Sequence, residues 1–188
     1  MATEAKSRAA MIYRLSFGVP SNLLRLLANG LVIGKILAAA PAAIPFKLAH
    51  DDRAANLATE NINRSIKSAA RTITKTALSD KVSSKSVLEK AGLRPLNEMV
   101  ASQTAVMIWK SKKAKDPLAR SLFPSRSIIR PTRSMNCGHA TQPVPGNKTL
   151  AANLMARAWN SSTKLRTVTT VGAAKTVARE WARNLLED

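Results

Sequence analysis

The chain has 188 residues, 45% hydrophobic and 22% charged, enough for one domain or two small ones with a real core and too apolar for a disordered chain. Lys and Arg number 30 against 11 Asp and Glu, a net charge of +19, which points to a polyanionic partner: nucleic acid first, an anionic membrane second. One cysteine, Cys137, excludes an internal disulfide and a cysteine-rich zinc site and fits a reducing compartment; the expected setting is intracellular, nuclear or cytoplasmic, with a mitochondrial presequence in the basic N-terminus, where Glu4 is the one acid, as the lesser reading.

Residues 2–17 read as a short amphipathic helix, with Ile12 and Leu15 on one side and Lys6, Arg8 and Arg14 open to solvent. Gly18-Val19-Pro20 breaks it. A second helix opens at Pro20 or Ser21, runs to about Ala40 and is apolar nearly all round, which predicts a central core position; Pro41 and Pro45 stop it. Arg25 and Lys35 interrupt its apolar run, so no membrane span is expected. Asp51-Asp52 stand where the next helix should begin, suited to its dipole. That helix runs to about Lys75.

On this third helix Arg64, Lys67, Arg71 and Lys75 fall within roughly 80° of one another at 100° per residue. Ile62, Ile66, Ala69, Ile73 and Ala77 fall opposite. No acid interrupts the cationic row between Glu60 and Asp80. A charge row is ordinarily a solvated face; here the rest of the chain adds to it. Residues 79–86 are a polar connector, and Val87–Ala91 make a short helix closed by Gly92.

A long helix follows to about Ser111, with Leu96, Met99 or Val100, Gln103, Met107 and Ser111 as its stripe and Trp109 just off it. Lys110, Lys112, Lys113 and Lys115 cluster at its C-terminus, the favourable end for cations. Residues 116–148 lose all periodicity: five prolines and Arg120, Arg126, Arg130 and Arg133 make a long basic loop, and no acid occurs from Pro117 to Arg179. Two helices close the chain, 149–159 with Leu150, Leu154 and Ala158, and 171–186 with Val177, Trp181 and Leu185; Asn160–Thr163 end the first.

The chemical inventory is thin. Asp51-Asp52 lack the third carboxylate and the flanking strand that a polymerase magnesium site needs. Cys137-Gly-His139 lacks further ligands or an orienting acid, with His50 far away in sequence. No phosphate loop or dinucleotide fingerprint is present, so no catalytic residue, metal or cofactor is expected. The cations are the positive signal: Arg64, Lys67, Arg71, Lys75, Lys110, Lys112, Lys113, Arg120, Arg126, Arg130 and Arg133 are suited to phosphate contacts whose strength falls with salt. Trp109, Trp159 and Trp181 have the surface for base stacking, but aromatics at helical spacing more often pack a core.

Several blocks occur in an order that resembles the region C-terminal to the polymerase domain of non-LTR (LINE-type) retrotransposon reverse transcriptases. They are Leu24–Lys35 with its Gly-Leu-x-x-Gly-Lys core, Ile62-Asn-Arg64 with Ala69–Ile73, Val87–Asn97 with its Pro-Leu-Asn junction, Met107–Lys110, Arg130-Pro-Thr-Arg133 and Ala158-Trp-Asn160. The resemblance implies a thumb-side, template- and primer-holding region without the palm aspartates, endonuclease or zinc knuckle of the full family, as a truncated copy or a separate small reading frame. A missing polymerase domain would then be a natural partner, and apolar surface on the second helix its seat. The expectation is an all-α bundle of five to seven helices: residues 1–115 as a basic helical domain, 116–148 as the loop and 149–188 as C-terminal helices. Its function would be binding of RNA, DNA or their hybrid, without enzymatic activity. Further readings are a small basic protein of a ribonucleoprotein, such as a ribosomal component, and a membrane-associated or organelle-imported protein.

Overall fold

The computed structural model describes residues 2–43, 53–113 and 151–187. These form eight helices and no strand: α1 (Ala2–Leu15), α2 (residues 21–43), α3 (Arg53–Thr74), α4 (Ser84–Ala91), α5 (Leu96–Lys113), α6 (Ala151–Ser161), α7 (Thr163–Thr167) and α8 (Val171–Glu187). The all-α expectation holds. The helix beyond the expected five to seven is α7, one turn long. Its N-cap, Ser162, belongs to the same polar run that closes α6, and its hydroxyl accepts from the Leu165 amide at 3.2 Å.

The helices form two compact units, divided within α5 between Met99 and Val100. The expected boundary after residue 115 does not coincide with this division, because the body of α5 packs with the C-terminal helices. The long basic loop of 116–148 lies outside the described residues.

In the first unit α1 lies along α3, and α4 packs on α3. Ala5, Ala9 and Ile12 are the buried stripe of α1, while Leu15 is exposed. Two alanines at helical spacing let the axes approach, so the core runs along small side chains and not toward Leu15. The buried face of α3 is Ile62, Ile66, Ala69, Ala70 and Ile73, as its period predicts, except that Ala77 lies exposed beyond the helix end and Ala70 takes its place.

Helix α2 departs from its reading. It buries one face, with Leu24, Ala28, Val32 and Ile36 essentially inaccessible, and leaves Leu23 and Leu26 in solvent. Its middle, Ala28–Ile33, is π-helical, between α-helical Ser21–Leu27 and Gly34–Ala43. The Gly34 amide donates back to the Asn29 carbonyl, and a Cβ on Gly34 would sit 3.2 Å from that same oxygen. A glycine there spares the wide turn that tight contact, which a side chain would relieve only by a shift of a few tenths of an ångström. The helix also runs through Pro41 to Ala43; a proline so near the end forfeits only one late intrahelical bond. Residues 21–38 are long and apolar enough to cross a membrane by length and composition, and 28% of that window is buried.

In the second unit α5 contributes Ala105, Val106, Ile108 and Trp109 to a core with Met155, Ala156, Ala158 and Trp159 of α6, Leu165 of α7, and Ala174 and Ala178 of α8. Ala101, Leu154, Ala182 and Leu185 form a second cluster. The buried line of α8 is therefore its alanines and Leu185, the last as the period predicts, with Val177 and Trp181 half-buried beside them. Along α5 the expected stripe fails at Met107, which is exposed. Thr104 is fully buried instead, its hydroxyl returned to the Val100 carbonyl at 2.7 Å, so it packs as a small apolar residue.

Candidate nucleic-acid interface

Helix α3 carries the cations that its periodicity predicts, but they are not equivalent. Arg64 stands in solvent, its side chain 73% exposed and paired with Glu60 one turn earlier at 3.5 Å. Such an exposed i,i+4 pair is worth only about 0.3–0.5 kcal/mol, so a phosphate can displace it. Lys67 is exposed on the next turn. Arg71 is half-buried and donates to the Ala77 carbonyl at 2.6 Å.

Lys75, expected as the fourth member of the row, lies past the helix end. The Lys75 amide donates to Thr72 O at 3.4 Å and the Thr76 amide to Arg71 O at 3.0 Å, the paired bonds of a left-handed helix terminus. Lys75 occupies the left-handed position itself, with φ 53°. The cationic ridge proper is therefore Arg64 and Lys67, extended by Arg71 where the chain turns away.

On the α1 side of this ridge runs an open groove of about 660 Å³. It exists because the facing positions are small: Ala2, Ala9 and Ala10 on α1, Ser65 and Ser68 on α3. Longer side chains edge it, Lys6 and Tyr13 from α1 and Asn61 and Arg64 from α3, and its lining holds no carboxylate. Arg64 thus belongs to both ridge and groove. On the other side of the ridge Lys67 and Asn63 border a smaller cavity of about 170 Å³ against Pro95 and Asn97.

The second unit carries the lysines at the end of α5. Lys110 and Lys113 are exposed, and Lys112 is half-buried with its pKa lowered by desolvation. Arg120, Arg126, Arg130 and Arg133 lie outside the described residues, as do His50, Asp51, Asp52, Cys137 and His139. Among the described residues no three Asp, Glu, His or Cys gather in a way that could hold a metal ion.

The tryptophans are core residues. Trp109 and Trp159 are buried, and Trp109 Nε1 donates to the Val168 carbonyl at 3.1 Å. Trp181 Nε1 donates to Ser161 Oγ at 2.8 Å. Among the described residues the exposed aromatics are Tyr13, at 58%, and Phe17, at 84%, two that the sequence pattern does not single out. Their rings meet edge to face, centroids 5.9 Å apart. One signal was available: at 100° per residue Tyr13 stands roughly 80° round α1 from the Ala5, Ala9 and Ile12 stripe.

No family model, curated protein or solved structure matches this chain.

Proposed function

We propose that the chain binds nucleic acid through backbone phosphates, with the α3 ridge of Arg64 and Lys67 as a principal contact. The single observation that carries this reading is that ridge: two cations on successive turns, standing in solvent beside a groove without a carboxylate, in a chain of net charge +19. Phosphate contacts position a nucleic acid without reading its bases, so RNA, DNA and their hybrid are all candidate ligands. Lys110, Lys113 and the arginines of the 116–148 loop would add to the same electrostatic term.

Its origin, in this proposal, is the thumb-side region of a non-LTR reverse transcriptase, supported by the order of the blocks from Leu24 to Asn160. Leu23, Leu26 and Met11 stand exposed, consistent with a seat for a polymerase domain. The chain itself would hold template or primer and incorporate no nucleotide.

Fluorescence anisotropy with labelled RNA, DNA and hybrid across a salt series tests the reading. Submicromolar binding at low salt with a steep salt slope supports it, and no binding at low salt ends it. The double reversal Arg64→Glu, Lys67→Glu should weaken every ligand and lower the slope of log K on log salt by about 2, at about 0.9 per phosphate contact on B-form DNA. Arg71 is left out of that variant because its reversal would also break the turn at the end of α3.

A further inference from the structure

We propose that the groove between α1 and α3 takes unpaired bases of a single-stranded nucleic acid, with Tyr13 of its lining and Phe17, whose ring packs on Tyr13, as the stacking surface and Lys6 and Arg64 on its phosphates. This rests on the nucleic-acid reading above and goes beyond it, because a phosphate ridge alone does not distinguish a duplex from a single strand.

Three observations converge. The first is the rings. Core-forming aromatics elsewhere in the described chain are tucked into the second unit, yet Phe17 is 84% exposed and touches Tyr13 edge-on. An edge-to-face pair leaves ring faces to the solvent, and a ring face is what an unpaired base covers. In a duplex the bases are already stacked on one another, so the same two rings would have nothing to receive.

The second is the space. Tyr13 lines a groove of about 660 Å³, within the usual 300–1,000 Å³ of small-ligand sites. The alanines of α1 provide its width. From Ala2 to Tyr13 the helix rises roughly 16 Å, at 1.5 Å per residue, so the groove is elongated and open along its length as a strand requires.

The third is the chemistry of the walls. Lys6 and Arg64 line the groove from α1 and α3, and no carboxylate lines it, the Glu60 that pairs with Arg64 at 3.5 Å standing outside its lining. Asn61 and Ser68 supply donors and acceptors between the cations. A wall of mixed hydroxyl and amide groups suits base edges without strong sequence preference, while the paired cations complement a phosphate chain.

The double variant Tyr13→Ala, Phe17→Ala tests this in the full chain. Both side chains are exposed, so circular dichroism should be unchanged. Affinity for labelled oligothymidylate and oligouridylate should fall by at least about 5- to 150-fold, the equivalent of about 1–3 kcal/mol for a single stacked base. Affinity for a duplex of equal length should change by less than about twofold, since its phosphates meet the unaltered ridge. Tyr13→Trp with Phe17→Trp should restore single-strand binding. An oligouridylate carrying a photoreactive uracil should crosslink to the peptide containing Tyr13 and Phe17.

Equal loss on single strand and duplex, or no loss on either, overturns the groove assignment while leaving phosphate binding intact. Loss of binding to vesicles of anionic phospholipid, with single-strand affinity unmoved, overturns it in favour of a membrane surface. If the unaltered chain binds neither single strand nor duplex at low salt, the nucleic-acid reading falls and the groove assignment with it.

Discussion

Lys75 holds a backbone conformation that L residues reach only with strain, at the end of the helix on which its charge was counted. The left-handed position at a helix terminus is ordinarily glycine, because a Cβ there crowds the following carbonyl. Lys75→Gly should therefore stabilise the first unit by about 1 kcal/mol in urea denaturation; an unchanged or lower midpoint would show that the lysine side chain contributes more than its conformation costs. Gly92, in the same position at the end of α4 with φ 67°, already has the favoured residue. There the Arg25 guanidinium lies 3.1 Å from where a Cβ would stand, a contact that the flexible arginine can relieve by a small shift, so it is the conformation that favours glycine. The sequence marked the second terminus and not the first for this reason. A helical wheel reads Arg71 and Lys75 as one more turn of the cationic row, and no Gly or Pro interrupts it; the turn depends on backbone bonds to Thr72 and Arg71 and on the Arg71 side chain reaching Ala77.

At the scale of elements, α1 and the π-helical turn of α2 depend on each other. Arg8 Nη1 donates to the Leu31 carbonyl at 3.0 Å and Arg8 also pairs with Glu4 one turn before it. A widened turn leaves carbonyls turned away from their usual amides, and a guanidinium with several donors can serve one of them without leaving its carboxylate. Arg8→Met keeps most of the side-chain length and removes the donors. It should cost about 1–2 kcal/mol, the low end for a hydrogen bond from a charged group that is still partly in water; an unchanged melting midpoint would mean that solvent satisfies Leu31 equally well. Element existence was readable from hydrophobic period alone, because every helix but α7 carries an apolar stripe. Which residues occupy the stripe was less readable. Alanines at 5, 9, 174, 178 and 182 are buried and give a weak hydropathy signal beside Leu15, Val177 and Trp181. Thr104 read as polar because its hydroxyl bond to its own helix is not visible in composition.

For the molecule as a whole, net charge sets two responses of opposite sign. A charge of +19 on 188 residues repels itself, and the repulsion reaches about 30 Å at 0.01 M salt but about 10 Å at 0.1 M. Raising salt across that range should therefore raise the melting temperature while it weakens nucleic-acid binding. A melting temperature that falls with salt would point instead to ion pairs, such as Lys164–Glu180 and Arg94–Glu98, as the dominant electrostatic contribution. The candidate site was half legible. Charge and period located the ridge, since Lys and Arg can be read one residue at a time. The groove was not legible, because it is made by what two distant helices lack: side chain beyond Cβ at Ala2, Ala9 and Ala10, and little more at Ser65 and Ser68.

The π-helical turn between Ala28 and Gly34 has a consequence for length. Each of its bonds closes over one residue more than an α-turn does, so the faces before and after it, Leu24 and Ala28 on one side and Ile36 on the other, stay aligned only by absorbing an extra residue. A chain that kept the same buried face with an unbroken α-helix would be one residue shorter there. At this point an insertion or deletion sits naturally inside a helix, in the middle of its packed face, and not in a surface loop.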